Sequence, residues 1–192
     1  MKIGVLALQG AFIEHALVLD RLGVEATQVR KPDELKGLDG LIIPGGESTT
    51  MLNLANNYGL IEPLRKLGLD GFPMMGTCAG MILLAKTVTN SDIKTLGLMD
   101  IKVRRNAFGR QPDSFETDLD IKALGDKPFH SVFIRAPLIE EVAENVETLA
   151  KLDNGTIVAV RQGNMLGISF HPELTDDSRM HEYFVKIVSG NK

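Results

Sequence analysis

Residues 72–83, FPMMGTCAGMIL, decide how the chain is read. Phe72-Pro73-Met74-Met75 is an apolar run of the kind that forms a buried strand. Gly76-Thr77-Cys78-Ala79-Gly80 follows, and Met81-Ile82-Leu83-Leu84-Ala85 then opens a helix. Gly-x-Cys-x-Gly at a strand-to-helix turn is the cysteine form of the nucleophile elbow. The turn holds the side chain at its tip away from its own backbone, open to approach. The conformation is strained, so small residues must flank it, and both are glycine. The helix that follows aims its N-terminal N–H groups and positive dipole end at the sulfur. A lone cysteine is also commonly a buried structural residue, so the rest of the chain must decide between the two.

Upstream, residues 3–8 form a near-continuous apolar run, as expected of a strand covered on both faces. Gln9-Gly10 makes a turn. Phe12, Ala16 and Leu19 recur at helical spacing, and Gly23 closes that helix. Residues 24–29 read as a weaker strand and 31–37 as a short helical turn opened by Pro32. Residues 40–43 are a third buried strand ending at Pro44-Gly45-Gly46. Ser48-Thr49-Thr50 is expected to cap a helix over 51–57, and Ile61, Leu64 and Leu67 mark another. The order β-α-β-α-β-α-α-β-α implies a parallel sheet with helices on both faces.

Downstream the pattern changes. Residues 96–103, 115–121 and 129–134 read as strands, with a polar segment at 104–113. Residues 146–152 and 156–160 form a hairpin about Asn154-Gly155. Residues 165–170 are the last strand, and Met180, Phe184, Ile187 and Val188 line a closing helix with Asp176 or Asp177 near its start. One domain over 1–192 is expected: three layers, α/β/α, around a mostly parallel mixed sheet whose later strands are partly antiparallel.

Bulk composition narrows the function. A net charge of -4 with no basic stripe argues against nucleic acid. One cysteine excludes an internal disulfide framework and a cysteine-cluster metal site. No apolar stretch approaches membrane-spanning length, so a cytoplasmic protein is expected.

A cysteine nucleophile needs a base, and the base needs an orienting partner. Of the four histidines, His15 and His181 fall in helical patterns and are expected at the surface, and His130 in a loop. His171 lies at the carboxyl end of a strand, the rim where open α/β sheets place their sites. Glu173 is two residues on, and in extended chain positions i and i+2 point the same way. Pro172 pushes His171 toward that geometry. For His-Pro-Glu alone two readings stand, a catalytic pair or a cap for the last helix; the elbow cysteine favours the pair. Pro44-Gly45-Gly46-Glu47-Ser48 is a third element. It matches no phosphate-loop pattern, and beside a Cys–His–Glu set it reads as an oxyanion hole. The donors would be the N–H groups of Gly46 and Ala79, although Gly45 can also be a plain turn residue.

Together GTCAGM, HPE and PGGEST resemble the triad class of glutamine amidotransferases. More closely, LALQGAFIEH, PGGESTT, GTCAGMI, RRNAFGRQ, FIRAP and SFHPEL resemble the glutaminase subunits of pyridoxal 5′-phosphate synthases. The likeness runs over residues 3–184. Related subunits serving histidine or tryptophan synthesis often carry glutamine where this chain has Ile82, which argues against those pathways.

The resemblance implies a flavodoxin-like fold and glutamine hydrolysis through a γ-glutamyl thioester. Cys78 would be the nucleophile, His171 the base and Glu173 its orienting group. Gly46, Glu47, Ser48, Arg105, Ile134 and Arg135 match the family's glutamine-binding positions. No cofactor is implied. The implied partner is a (β/α)₈-barrel synthase in a large hetero-oligomer, which receives the ammonia for vitamin B6 synthesis. Gln9, Gly10 and residues 104–111 are the expected contact. The alternatives are a cysteine hydrolase or peptidase of related fold, or a glutaminase subunit of another pathway.

Overall fold

A computed structural model describes residues 1–105 and 114–190. The chain runs β1 (Lys2–Leu6), α1 (Phe12–Arg21), β2 (Glu25–Val29), β3 (Gly40–Ile43), α2 (Ser48–Asn57), α3 (Ile61–Leu69), β4 (Met74–Thr77) and α4 (Ala79–Leu84). It continues β5 (Ala85–Val88), β6 (Met99–Arg104), β7 (Ser114–Leu119), β8 (Phe129–Ile134), β9 (Leu138–Val142), β10 (Glu147–Lys151), β11 (Ile157–Gln162), β12 (Met165–Ile168) and α5 (Arg179–Val188).

The main sheet has the order β2-β1-β3-β4-β12-β11-β9-β6-β5, with β10 pairing β11. It is parallel from β2 to β12, and the pairings among β12, β11, β9, β10 and β6 are antiparallel. This is the expected α/β fold with a mixed sheet.

Alternation along the strands builds the two outer layers. Leu6, Leu41, Ile43 and Met74 pack toward α2, α3 and α4. Ile3, Val5, Ile42 and Met75 pack on the other face with Leu19 of α1 and Met180, Phe184 and Ile187 of α5. Burying an aliphatic side chain of this size contributes ~1.5–3 kcal/mol, so the strands that were continuously apolar are those covered on both sides.

Several elements differ from expectation. β5 follows α4 directly, and β9 was not foreseen. The strands at 115–121 and 129–134 do not join the main sheet. They form a separate antiparallel ribbon, β7–β8, held by Phe129 and Phe133 packing with Phe170. The first strand stops at Leu6. α2 starts at Ser48, and its cap is Glu47, whose carboxylate accepts from the N–H groups of Thr49 and Thr50. Asp177 serves the start of α5, accepting from the Arg179 N–H at 3.1 Å.

Candidate active site

Cys78 sits between β4 and α4 with φ 49° and ψ -107°, a left-handed conformation that a non-glycine residue adopts only under constraint. The constraint is visible. The Cys78 N–H donates to the Ile168 carbonyl at 2.7 Å, tying the elbow to β12. The flanking glycines let backbones meet. A Cβ on Gly80 would lie 1.9 Å from the Ile43 carbonyl oxygen, and one on Gly76 would lie 2.6 Å from Gly80. The strain read from Gly-x-Cys-x-Gly is therefore present.

β12 runs parallel beside β4, with Ile168 opposite Thr77. The two strands thus deliver Cys78 and His171 to the same rim. His171 has φ -109° and ψ 85°, and a short 3-10 turn, Pro172–Leu174, carries Glu173. His171 Nδ1 lies 2.7 Å from Glu173 Oε1. The ribbon braces both Cys78 and His171. The Val132 carbonyl accepts from the His171 N–H at 2.8 Å, and the Ile134 carbonyl lies 3.9 Å from Cys78 Sγ. Gly45 packs against the pair. A Cβ there would stand 2.5 Å from His171 Cε1 and 3.4 Å from Cys78 Cβ.

Burial pulls the His171 pKa down, but hydrogen bonds to Cys78 and Glu173 and their negative charge outweigh it, and the value rises from 6.5 to about 10. Burial also opposes the charge on Glu173, while His15 and His171 hold its carboxyl below the usual range. The imidazolium is thus favoured between sulfur and carboxylate. Below pH 6.5 a histidine is protonated in the folded and the unfolded chain alike, so its stabilising effect is complete there. The effect is lost as pH rises through about 10. The difference in urea midpoint between wild type and His171→Gln is therefore expected to shrink steadily over that interval. A difference independent of pH would show that the ring does not carry the proton.

A pocket of about 450 Å³ opens at this rim. Gly46, Glu47, Ser48, Arg105, Ile134 and Arg135 all line it, with Cys78, Ala79 and His171. Arg105 Nη2 lies 3.2 Å from Glu47 Oε1. Burial would raise the Glu47 pKa, but hydrogen bonds from Thr50 and Thr49 take it down to about 2. Its carboxylate is committed to the cap and to Arg105. Arg135 holds φ 44° where β8 ends. Gln9 also lines the pocket and accepts from the Glu47 N–H at 2.7 Å. The Gly45 carbonyl accepts from Ala11 at 3.0 Å. Of the segment 104–111 expected at a partner contact, residues 106–111 lie outside the described residues.

A wider, open cleft of about 910 Å³ lies between the ribbon and the start of α5, lined by neither Cys78 nor His171. His130 is in it. It is a strand residue rather than a loop residue, flanked at 2.9 Å by Asp118 and Glu116. The other correction concerns His15 and His181. Both were expected at the surface, and both are fully buried, in contact with each other. The signal was available. His15 is three residues from Phe12 and four from Leu19, on the apolar face of α1.

Comparisons with known proteins agree on one family. The model of the SNO glutamine amidotransferase family matches residues 5–189. The pyridoxal 5′-phosphate synthase subunit PdxT of Carboxydothermus hydrogenoformans is 58% identical over 188 residues, covering 98% of each chain. Its namesake from Dehalococcoides mccartyi is 58% identical over 194 residues, covering 100% of each. A crystal structure of a glutamine amidotransferase superposes with a TM-score of 0.93 at 51% identity, over 97% of this chain and 98% of that one.

Proposed function

This chain belongs to the SNO glutamine amidotransferase family, and from that premise we propose how its rim works. The enzyme hydrolyses L-glutamine to L-glutamate and ammonia and supplies the ammonia to a synthase subunit for pyridoxal 5′-phosphate. The observation that carries the mechanism is the meeting of Cys78 and His171 in one pocket, with Glu173 2.7 Å behind His171.

Cys78 sulfur, its proton transferred to His171, attacks the side-chain amide carbon of glutamine. The carbonyl oxygen becomes an oxyanion facing the N–H groups of Gly46 and Ala79. Ala79 opens α4, where the first-turn N–H groups have no intrahelical acceptor. The intermediate collapses, the C–N bond breaks, and His171 gives its proton to the departing ammonia. His171 then takes a proton from water, which cleaves the γ-glutamyl thioester and returns the sulfur. Glu173 keeps the ring oriented throughout. Arg105 and Arg135 pair with the α-carboxylate of the substrate. Arg105 is held by Glu47 in a pair exposed enough to be worth only ~0–1 kcal/mol, so turning toward a ligand costs little. Glu47, Ser48 and Ile134 complete the glutamine site.

The partner is a (β/α)₈-barrel subunit in a large hetero-oligomer, contacting this chain at Gln9, Gly10 and residues 104–111. Among the described residues no helix is long and apolar enough to cross a membrane, and we place the reaction in the cytoplasm.

The test is glutamate release from glutamine, with and without the synthase. Release stimulated by the partner is expected. Release indifferent to it would leave a glutaminase but remove the subunit assignment. No release, with turnover of a peptide instead, would return the chain to a cysteine hydrolase.

A further inference from the structure

Behind Glu173 lies a second polar cluster, wholly inside the protein. His15 of α1 and His181 of α5 are each 0% exposed, and His15 Nδ1 lies 2.9 Å from His181 Nε2. His15 Nε2 is 3.1 Å from Thr77 Oγ1 and 3.4 Å from Glu173 Oε2. Thr77 is the residue before the elbow cysteine. Glu173 Oε2 is buried and has no hydrogen-bond partner among the described residues, and the same holds for His181 Nδ1. An orphaned oxygen on a buried carboxylate is costly, and His15 Nε2 faces it just beyond hydrogen-bonding geometry.

Two tautomers satisfy the contact between the histidines. With its proton on Nδ1, His15 donates to His181 and turns a bare lone pair on Nε2 toward the carboxylate. His181 must then carry its proton on Nδ1, where no acceptor exists. With its proton on Nε2, His15 accepts from His181 and presents N–H to Thr77 and Glu173, and His181 Nδ1 is left as an unpaired acceptor. The second arrangement avoids both the repulsion and the buried orphan donor. Burial, the largest influence, keeps both rings neutral, although Glu173 pulls His15 the other way.

We propose that His15 is a positioning residue of this site: its Nε2–H faces Glu173 Oε2 and holds the carboxylate against His171 Nδ1, while His181 fixes the His15 tautomer. This rests on the roles given to Cys78, His171 and Glu173 above. The catalytic line thus continues inward from the rim, through the first helix to the last. Glu173 is faced by His171 and His15; His15 by Glu173, His171 and Glu14; His181 by His15 and Arg21.

The test uses His15→Phe, His15→Gln and His15→Asn in the full chain with its partner. Phe keeps the ring shape and has no donor. The glutamine amide nitrogen reproduces Nε2, whereas the asparagine amide reproduces Nδ1. Phe and Asn are expected to lower kcat ~10–100-fold, by analogy with the loss of a partner that orients a metal-ligating side chain, with KM unchanged. Gln is expected to retain kcat within a few-fold. Without the Nε2 donor the Glu173 carboxylate is less stabilised, so the acid limb of kcat/KM moves to higher pH in Phe and Asn. If Phe does not fold, the contrast between Gln and Asn decides. Equal kcat and an unmoved acid limb in Gln and Asn, beside an active wild type that Cys78→Ala silences, would overturn the role of His15 alone. Undiminished release in Cys78→Ala would instead overturn the reading on which it rests.

Discussion

Cys78→Ala is expected to reduce glutamate release ~10⁶-fold, to the background of the assay, with or without the partner. Removing the nucleophile of a hydrolytic triad costs on that scale because the remaining groups have nothing to activate. Here the dependence is strict. The two nitrogens of His171 serve Cys78 and Glu173, so no second nucleophile inherits the base. The substitution is nearly neutral for the fold. The side chain is small, and alanine meets the backbone bend at φ 49° with no larger Cβ than cysteine had. Thermal unfolding should place the variant within a few degrees of wild type, which separates lost chemistry from lost structure. Turnover within a hundredfold of wild type would rule out the thioester route.

Glu173→Gln is expected to cost ~10⁴-fold in kcat, the size of effect that follows when the carboxylate of a triad becomes an amide. The amide oxygen can still accept from His171 Nδ1, so the ring stays near its place. What is lost is the negative charge that helps raise His171 to about 10. The imidazolium is then less stable, and the proton returns toward sulfur. The amide NH₂ also meets the His15 Nε2–H, a donor against a donor, inside a space sealed by α1 and α5. A variant that keeps kcat within tenfold would show that Glu173 is only structural. The capping alternative assigned it to the first turn of the last helix, but that helix starts at Arg179 and Glu173 lies in the 3-10 turn before it.

The parts of this protein that were legible in the sequence are those fixed by strong local constraints. The glycines around Cys78 had to be small because backbones meet there, so the elbow announced itself. The strands β1, β3 and β4 are buried on both faces and read as unbroken apolar runs. His-Pro-Glu was legible as a pair, although the proline opens a 3-10 turn over 172–174 in place of the extended chain expected. What was missed depends on long-range packing. β9 carries Glu140 and Glu141 in its middle, and β5 is Ala85–Val88 with an exposed centre; neither stands out by composition. The ribbon of β7 and β8 was seen as two strands, but nothing in their alternation says that they leave the main sheet. Its role in bracing Cys78 and His171 runs through the carbonyls of Ile134 and Val132, and backbone contacts have no signature in side-chain identity. His15 and His181 were misplaced because a polar residue in a helix was assigned outward, against a periodicity that placed His15 inward.

The position of β12 has a consequence for how the enzyme comes into being. It lies between β4 and β11 although it is the last strand in the sequence. A chain emerging from the ribosome completes β1 to β4 early and folds from its N-terminal part. At that stage β4 has β3 on one side and an open edge on the other, and Cys78 already exists with no imidazole to serve it. The edge closes only when Met165–Ile168 arrives, and His171 and Glu173 follow within the next few residues. On the proposed mechanism, sheet closure therefore also brings the base to the thiol. A chain shortened before β12 would carry the thiol without its base and is expected to release no ammonia from glutamine.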